Sequence, residues 1–547
     1  MPAPPSAAPS IVLCTLNARY IHASLGLRYL LANMDRHGGP GLRQRTVLRE
    51  FTLAPAPQAI VDELLATLGP ANGEGPQIVG FGVYIWNVRQ TSEVVRLLKS
   101  QRPDIRIVLG GPEVSHEVAQ QDIVQRADFV ITGWGDVSFP RLCHALWHGP
   151  APRLKIIAGE QAALSQIASP YGEYSDTDLA HRLLYVEASR GCPFKCEFCL
   201  SSLDKTAWAF DLDDFLLEMQ GLYQRGARNF KFVDRTFNLK IDTSVRILQF
   251  FLERLPVADA SGATEPLLLH FEVVPDQLPE RLKAMIARFP CGVLQLELGV
   301  QTFNVEVQQR ISRRQDNARS EANLRWLVQA SKAHLHTDLI FGLPGETLAS
   351  FAASFDRLHA LGPHEIQLGI LKRLRGTPIA RHSAGFGMVY DPCPPYTVQQ
   401  TDAVDAVTVQ RFVRLARYWD LVANSGRFKQ TLPALLGPCA ASDAGPDSGS
   451  PFFAFLAFSD WLWARSGLTN GLSPEQLVDW LFDYLTTQRA MAAPVVRQAL
   501  LADYAASGAR SCPAVLRGWL ARPASPAKRD AARFGQRQHL HGAAASG

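Results

Sequence analysis

Two runs of alternating strand-like and helix-like segments constrain this 547-residue chain more than any other feature. The first fills residues 1–150: IVLCTL (11–16), a helical pattern at LGLRYLLANM (25–34), IVGFGVYI (78–85), SEVVRLLKSQ (92–101), IRIVLGG (105–111) and DFVITGWG (128–135). Short apolar strands with polar or glycine-rich ends, separated by helices, predict a doubly wound parallel sheet. Ligands of such sheets bind beyond the carboxyl ends of the strands. Those ends carry Asn17, Tyr84, Trp86, Asn87, Gly110, Gly111, Gly133 and Gly135.

After a looser stretch at 151–180, expected as a linker, the second run spans 181–385. Its strands are read at LLYVEAS (183–189), FKFVDRTF (230–237), LLLHFEVV (267–274), VLQLELGVQ (293–301), TDLIFGLP (337–344) and EIQLGILKRL (365–374). Six βα units suit a partial (β/α)6 barrel of the TIM type better than a closed eight-unit one. Polar residues again gather at strand ends, at Asp234, Glu272, Gln301 and Lys372. From 386 to 521 the pattern is mostly helical, broken by the Gly/Ser/Asp-rich ASDAGPDSGS (441–450), and the polar tail 522–547 is expected to be disordered. The fold class is therefore α/β, with a helical third domain.

Charge nominates no partner. Lysine and arginine exceed aspartate and glutamate by only four, which speaks against a nucleic-acid coat or a polybasic membrane anchor. The greasy segment PFFAFLAFSDWLW (451–463) is broken by Ser459 and Asp460, too short for a bilayer span, and reads as a core helix or a docking surface. The opening residues MPAPPSAAPS have no basic and apolar signal pattern, and nine cysteines make an odd number, so the expectation is a cytoplasmic protein in a reducing compartment.

Three of those cysteines carry the chemistry. Cys192, Cys196 and Cys199 in RGCPFKCEFCL form C-x3-C-x2-C directly after the first strand of the second run. Structural zinc takes four protein ligands, commonly as two pairs, and no second pair exists among the other six cysteines. Three thiolates on a 4Fe-4S cluster leave one iron open to a substrate. In this the chain resembles the radical S-adenosylmethionine (SAM) superfamily, whose signature has an aromatic residue, here Phe198, before the last cysteine. The resemblance covers roughly 183–375 and implies that the open iron chelates SAM, which is reductively cleaved to methionine and a 5'-deoxyadenosyl radical. It also assigns SAM-binding positions. Asp234, Arg235 and Thr236 in VDRTFN lie where the family contacts the SAM amino end, while ELGVQTFN with Gln301, DLIFGLPGET with Gly342 and Gly345, and the strand bearing Glu272 look like the family's later SAM motifs.

A doubly wound domain ahead of such a barrel resembles the cobalamin-binding branch of that superfamily, and GFGVYIWN, VLGGPEVS and ADFVITGWGDVSFPRL match its strand-end loops in order. The Asp-x-His-x-x-Gly loop that supplies an axial histidine to cobalt is absent; the corresponding loop, NARYIHASLG (17–26), holds only His22. The branch's Gly-Glu-Gly-Glu is here Gly133-Trp134-Gly135-Asp136, with Asp136 expected to cap a helix. The implied cofactors are a 4Fe-4S cluster, SAM and cobalamin. The implied activity is methyl transfer to an unactivated carbon of a small molecule or peptide, with an electron donor such as flavodoxin or ferredoxin and no nucleic acid or membrane partner. The competing readings are a cyclase or rearrangement enzyme with the same cofactors, and a non-catalytic cobalamin or redox sensor. A methylthiotransferase is disfavoured because no second cysteine set lies upstream. The C-terminal third resembles a subgroup whose last domain has no assigned role, and it is expected to cover the barrel mouth.

Overall fold

The computed structural model describes residues 9–71, 75–204, 206–256, 266–437, 449–507 and 511–520. The tail expected to be disordered and most of the Gly/Ser/Asp-rich interruption lie outside them. The chain divides into two compact units, one of residues 1–235, 372–378 and 391–396, the other of 236–371, 379–390 and 397–547.

The first unit is built on β1 (Ile11–Asn17), β2 (Thr46–Thr52), β3 (Ile78–Gly82), β4 (Arg106–Gly110), β5 (Phe129–Thr132) and β6 (Ile156–Ala158), all parallel in the order β2-β1-β3-β4-β5-β6. Helices α1 (Leu25–Gly38) and α5 (Ser138–His148) cover one face, where Ile11, Leu13, Ile78, Val108 and Ile131 meet Leu27, Leu31, Phe139 and Leu142. Helices α2 (Pro57–Leu68), α3 (Val88–Gln101) and α4 (Asp122–Arg126) cover the other, over Val12, Cys14, Val79, Phe81 and Ile107. Burial on both faces is why these strands read as unbroken apolar runs.

Two edge strands escaped the sequence reading. In β2, TVLREFT mixes charge into a half-exposed strand. In β6 only three residues pair with β5, so the stretch expected as a linker adds a strand to the sheet. The rest of that stretch is fastened by a buried ion network. Arg28 of α1 donates to Glu50 and to Asp178, each at 2.9 Å, and Arg182 donates to Glu50 at 2.7 Å. Asp178 lies in α6 (Asp176–His181), which Ser175 starts with a capping box.

Also in the first unit, β7 (Leu184–Val186) is followed by a short antiparallel pair, β8 (Ser189–Arg190) with β9 (Trp208–Ala209), which closes the base of the cysteine loop. Helix α7 (Leu212–Gln224), capped by Asp211, leads to β10 (Asn229–Phe232), parallel to β7.

The second unit contains β11 (Leu268–Val273), β12 (Leu294–Gln301), β13 (His334–Phe341) and β14 (Glu365–Ile370), parallel and paired in sequence order. Strand β12 alternates strictly between buried and half-buried residues, so one face is apolar while the other presents Gln295, Glu297 and Gln301, beside His336 and Asp338 of β13. Helix α8 (Ile241–Leu252) precedes β11, and α9 (Glu280–Ile286), α10 (Val305–Arg310), α11 (Asn317–Ala330) and α12 (Leu348–His359) connect the strands.

Beyond a two-stranded hairpin of β15 (Val389–Tyr390) and β16 (Val398–Gln400), the chain is helical: α13 (Ala406–Val422), α14 (Leu432–Leu436), α15 (Pro451–Ser466), α16 (Pro474–Thr487) and α17 (Ala493–Ala506). This region shares a core with β13 and α12 and builds more of its own where Phe458 packs edge-to-face on Tyr484. Phe341 of β13 stacks on Phe412 at 4.0 Å between ring centres, while Phe351, Phe355, Trp419, Phe452 and Phe455 form edge-to-face pairs around them. The Trp419 indole N–H donates to the Ile366 carbonyl at 3.0 Å. The greasy segment 451–463 is thus a core helix, α15. Among the described residues no helix is long and apolar enough to cross a membrane.

Candidate cofactor sites

A cavity of about 280 Å³ opens at the carboxyl ends of the first sheet, on its α1/α5 face. Strand periodicity creates it. Side chains two apart share a face, and the positions that follow Ile78 and Val108 toward this end are Gly80, Gly82 and Gly110, which contribute no side chain. Gly26, Leu27, Tyr29 and Leu30 of α1, Phe139 of α5, and the β5 loop complete the wall. A Cβ added at Gly133 would meet nothing within 4 Å, and one at Gly110 only the Ile131 carbonyl at 3.8 Å, so the floor is open at these two, whereas at Gly80 the Phe139 ring would lie 2.8 Å away. Gly111 differs: its φ is +110° and a Cβ there would lie 2.5 Å from the Val83 carbonyl.

Of the eight residues expected here, Tyr84, Gly110, Gly111, Gly133 and Gly135 line the cavity, and Asn17, Trp86 and Asn87 do not. Buried Asn87 braces the floor. Its amide donates to Thr15 Oγ1 and to the Leu16 and Gly82 carbonyls, and its Oδ1 accepts from the Tyr84 N–H at 2.8 Å. Trp86 stacks on Tyr84 at 4.4 Å and remains about half exposed. Asn17 donates to the His22 carbonyl and to Glu50. His22 Nδ1 lies 2.8 Å from the Tyr185 hydroxyl, and no histidine is among the described residues that line the cavity.

One lining residue comes from beyond the sheet. Arg190 lies two residues before Cys192, and its guanidinium donates to both carboxylate oxygens of Asp136, at 2.9 and 3.1 Å, and through Nε to Glu187 at 2.7 Å. It rests against the rings of Tyr29, Trp134 and Phe210. Burial opposes its charge, yet Glu187 and Asp136 hold its pKa well above the ordinary value. Asp136, expected to cap α5, does not do so; the cap position is Val137, and the carboxylate is committed to Arg190. The sequence reading missed Arg190, Gly80 and Gly82, although the period of two in IVGFG held the signal for both glycines.

The cysteine loop hangs from this strand. Gly191 has φ +84° and a Cβ there would strike the Thr206 carbonyl, so the turn into Cys192 accepts only glycine. None of the eight described cysteines is in a disulfide. Burial is the main cause that pushes the Cys192 thiol up to about 11; a hydrogen bond from the Phe194 backbone opposes this, the nearby Cys199 and Cys196 raise it further, and Arg235 lowers it. Three thiols that near one another, half-buried and mutually repelling once ionised, fit a group that takes their charge. They do not fit one small ion: among the described residues only Glu297, His336 and Asp338 bring three ligand atoms within 4.8 Å of one another.

The expected SAM contacts are divided between the units. In the first, Phe198 is half-buried inside the cysteine loop and Arg235 is exposed. Asp234 is buried, and its carboxylate accepts from the Ala188 N–H at 3.0 Å and the Ser189 hydroxyl at 2.5 Å, which fixes the strand leading to the cysteines. Burial pushes it up to about 7, against those two hydrogen bonds. In the second unit Thr236 is buried, and Glu272 stands opposite Glu297 in register. Gln301 ends β12 with φ +71°. Gly342 has φ +85° and lies under Val398, whose Cγ1 would be 2.5 Å from an added Cβ. Beside it, buried Glu346 accepts from the Thr302 hydroxyl at 2.6 Å through one oxygen, while the other has no partner; burial pushes this carboxyl up to about 8, against that hydrogen bond.

The B12 binding domain model matches residues 11–143, and the Radical SAM superfamily model matches 186–358. The chain joins a B12-binding domain to a radical SAM domain. Its cofactor set is a 4Fe-4S cluster, SAM and cobalamin. This radical SAM protein is similar to 2-(S-pantetheinyl)-carbapenam-3-carboxylate methyltransferase of Streptantibioticus cattleyicolor, with 24% identity over 57% of this chain and 50% of that one. It is 23% identical to the cobalamin-dependent radical SAM methyltransferase TokK of Streptomyces tokunonensis, over 54% and 47% of the two chains. With the tRNA-2-methylthio-N(6)-dimethylallyladenosine synthase of Ralstonia pickettii it shares 27% identity over 59% and 66%. The chain thus spans half to two-thirds of the length of these curated relatives. Among solved structures, the cobalamin-dependent SAM radical enzyme OxsB superposes with a TM-score of 0.55 at 13% identity, over 98% of this chain and 83% of that one, a likeness of fold.

Proposed function

We propose that this radical SAM protein is a cobalamin-dependent methyltransferase that places a methyl group on an unactivated carbon of a small molecule or peptide. The observation that carries the reading is the shared wall: the glycine-floored cavity at the strand ends and the cysteine loop are parts of one unit, joined by Arg190. Two of the curated relatives are named as methyltransferases, which supports the same class. When bound, SAM on the cluster supplies the hydrogen-abstracting radical and the methyl group, and cobalamin carries that methyl. Cys192, Cys196 and Cys199 hold the cluster and leave one iron free. Gly82, Gly110 and Gly133 leave room for the flat ring of the cobalamin, Tyr84, backed by its stack on Trp86, offers apolar surface beside it, and Leu27, Leu30 and Phe139 keep water out of the depth of the cavity. No histidine is among the described residues of that wall that would hold it.

The test is anaerobic reconstitution with iron, sulfide and hydroxocobalamin, followed by incubation with SAM labelled in its methyl group, a strong reductant and candidate substrates. The protein holds about four irons per chain, and the Cys192→Ala, Cys196→Ala, Cys199→Ala triple variant holds none of them. Transfer of labelled methyl to carbon supports the reading. A product without it, made at the expense of SAM, replaces methyl transfer by cyclisation or rearrangement, and a protein that binds both cofactors but never cleaves SAM is a sensor.

A further inference from the structure

Arg190 belongs to two sites at once. Its guanidinium forms part of the cavity wall, and its backbone is the second residue before Cys192. Little in its surroundings allows those two ends to move separately. Asp136 grips the guanidinium with both oxygens from the β5 loop that also supplies Gly133, Trp134 and Gly135 to the cavity. Glu187, three residues earlier in the chain, holds Nε, and Asp234 holds the intervening Ala188 and Ser189. On the cluster side Arg190 pairs with Trp208 in the β8/β9 ladder, and Gly191 lies so close to the Thr206 carbonyl that an added Cβ would strike it. A shift of the β5 loop to seat a ligand is therefore passed through a fork of two hydrogen bonds to the backbone that sets Cys192.

Resting on the cofactor reading above, we propose that Arg190 is a positioning residue that couples cobalamin binding to the geometry of the cluster. Coupling through a shared residue is reciprocal: an assembled cluster alters cobalamin affinity by the factor by which cobalamin alters cluster stability. Lysine keeps the charge and loses the fork, because an ammonium cannot donate in two parallel bonds. Asp136→Asn keeps a partner for the guanidinium and loses the paired acceptor oxygens.

The experiment titrates hydroxocobalamin into full-length protein with the cluster assembled and into the same preparation without iron, for the wild type, Arg190→Lys and Asp136→Asn. In the wild type the two dissociation constants differ by about fivefold or more. In both variants their ratio falls toward one, while cobalamin still binds and the iron content still reaches the wild-type level. A merely structural role for Arg190 moves both dissociation constants together and leaves the ratio alone, which overturns the proposal. A wild-type ratio of one overturns it too, without touching the assignment of either cofactor. If hydroxocobalamin binds no form of the protein, the cavity reading itself falls and takes this inference with it.

Discussion

Gly110 and Gly111 are neighbours at the end of β4, and substitution at each asks a different question. Gly110 has ordinary extended backbone, and the nearest atom to an added Cβ is the Ile131 carbonyl oxygen at 3.8 Å, an unstrained contact. Gly110→Ala is therefore neutral or slightly stabilising to the fold, because the unfolded chain loses freedom. Gly110→Leu sends a branched side chain into a cavity of about 280 Å³. Overfilling a packed site costs about 1–3 kcal/mol, which weakens cobalamin binding about 5- to 150-fold. Gly111 sits at φ +110°, ψ 168°, a region open essentially to glycine alone, and its Cβ would meet backbone at 2.5 Å. Gly111→Ala therefore strains the fold by about 1–3 kcal/mol before any ligand arrives. The assay pairs a hydroxocobalamin titration, read by absorbance, with the melting temperature of the ligand-free protein. Gly110→Leu loses affinity and keeps its melting temperature, whereas Gly111→Ala melts earlier. Wild-type affinity in Gly110→Leu would show that the corrin does not lie on this floor, and an equal drop in melting temperature for both variants would refute the claim that the space above Gly110 is free.

Glu346 gives a pH signature. Its carboxyl is raised to about 8 by burial, so between the ordinary carboxylate range and pH 8 the folded state holds a proton that the unfolded state has released. Stability from this group is complete below about pH 4.5 and is lost as pH rises to 8, at about 1.4 kcal/mol per pH unit; in Glu346→Gln the slope of unfolding stability against pH is flatter by one proton across that window. Phe412→Ala removes the ring stacked on Phe341 and should cost about 3–5 kcal/mol, seen as earlier melting of the cluster-free protein; an unchanged melt would show that the helical region does not share the barrel core.

The parallel sheets and the cysteine loop were legible because their signals are local: apolar runs of strand length, glycine at strand ends, and thiols at fixed spacing. What stayed hidden depends on pairing across the chain. Strand β2 was missed because Arg49 and Glu50 interrupt its apolar pattern, and Glu50 is there to receive Arg28 and Arg182. Asp136 stood one residue too early to cap α5, and its true partner is 54 residues away. The helical third looked separate because helical periodicity says nothing about which surface a helix covers. Phe412, Trp419 and Phe452 are directed at Phe341, Phe351 and Phe355, so a truncation after residue 390 would strip the barrel's own core and say nothing about a lid.

The two sheets also differ in how they can receive a ligand, and the difference follows from their side-chain pattern. The first is apolar on both faces and closed by helices on both, so a ligand enters only at the strand ends or where glycine has removed a side chain. Gly82 and Gly110 place such a gap on one face and at one end. The second unit's strands keep one polar face, with Gln295, Glu297 and Gln301 on β12 beside His336 and Asp338 on β13. Burying that many polar groups without partners would cost several kcal/mol, and they are partly offset within the sheet, as where His270 Nε2 lies 2.9 Å from Glu297. A polar, half-buried sheet face with carboxylates and imidazoles in cross-strand register, as where Glu297 stands opposite His336, suits recognition of a polar substrate. Substrate choice is therefore expected to respond to Glu297→Gln or His336→Gln with cobalamin affinity unchanged, and a change in cobalamin affinity from either would refute this division of labour.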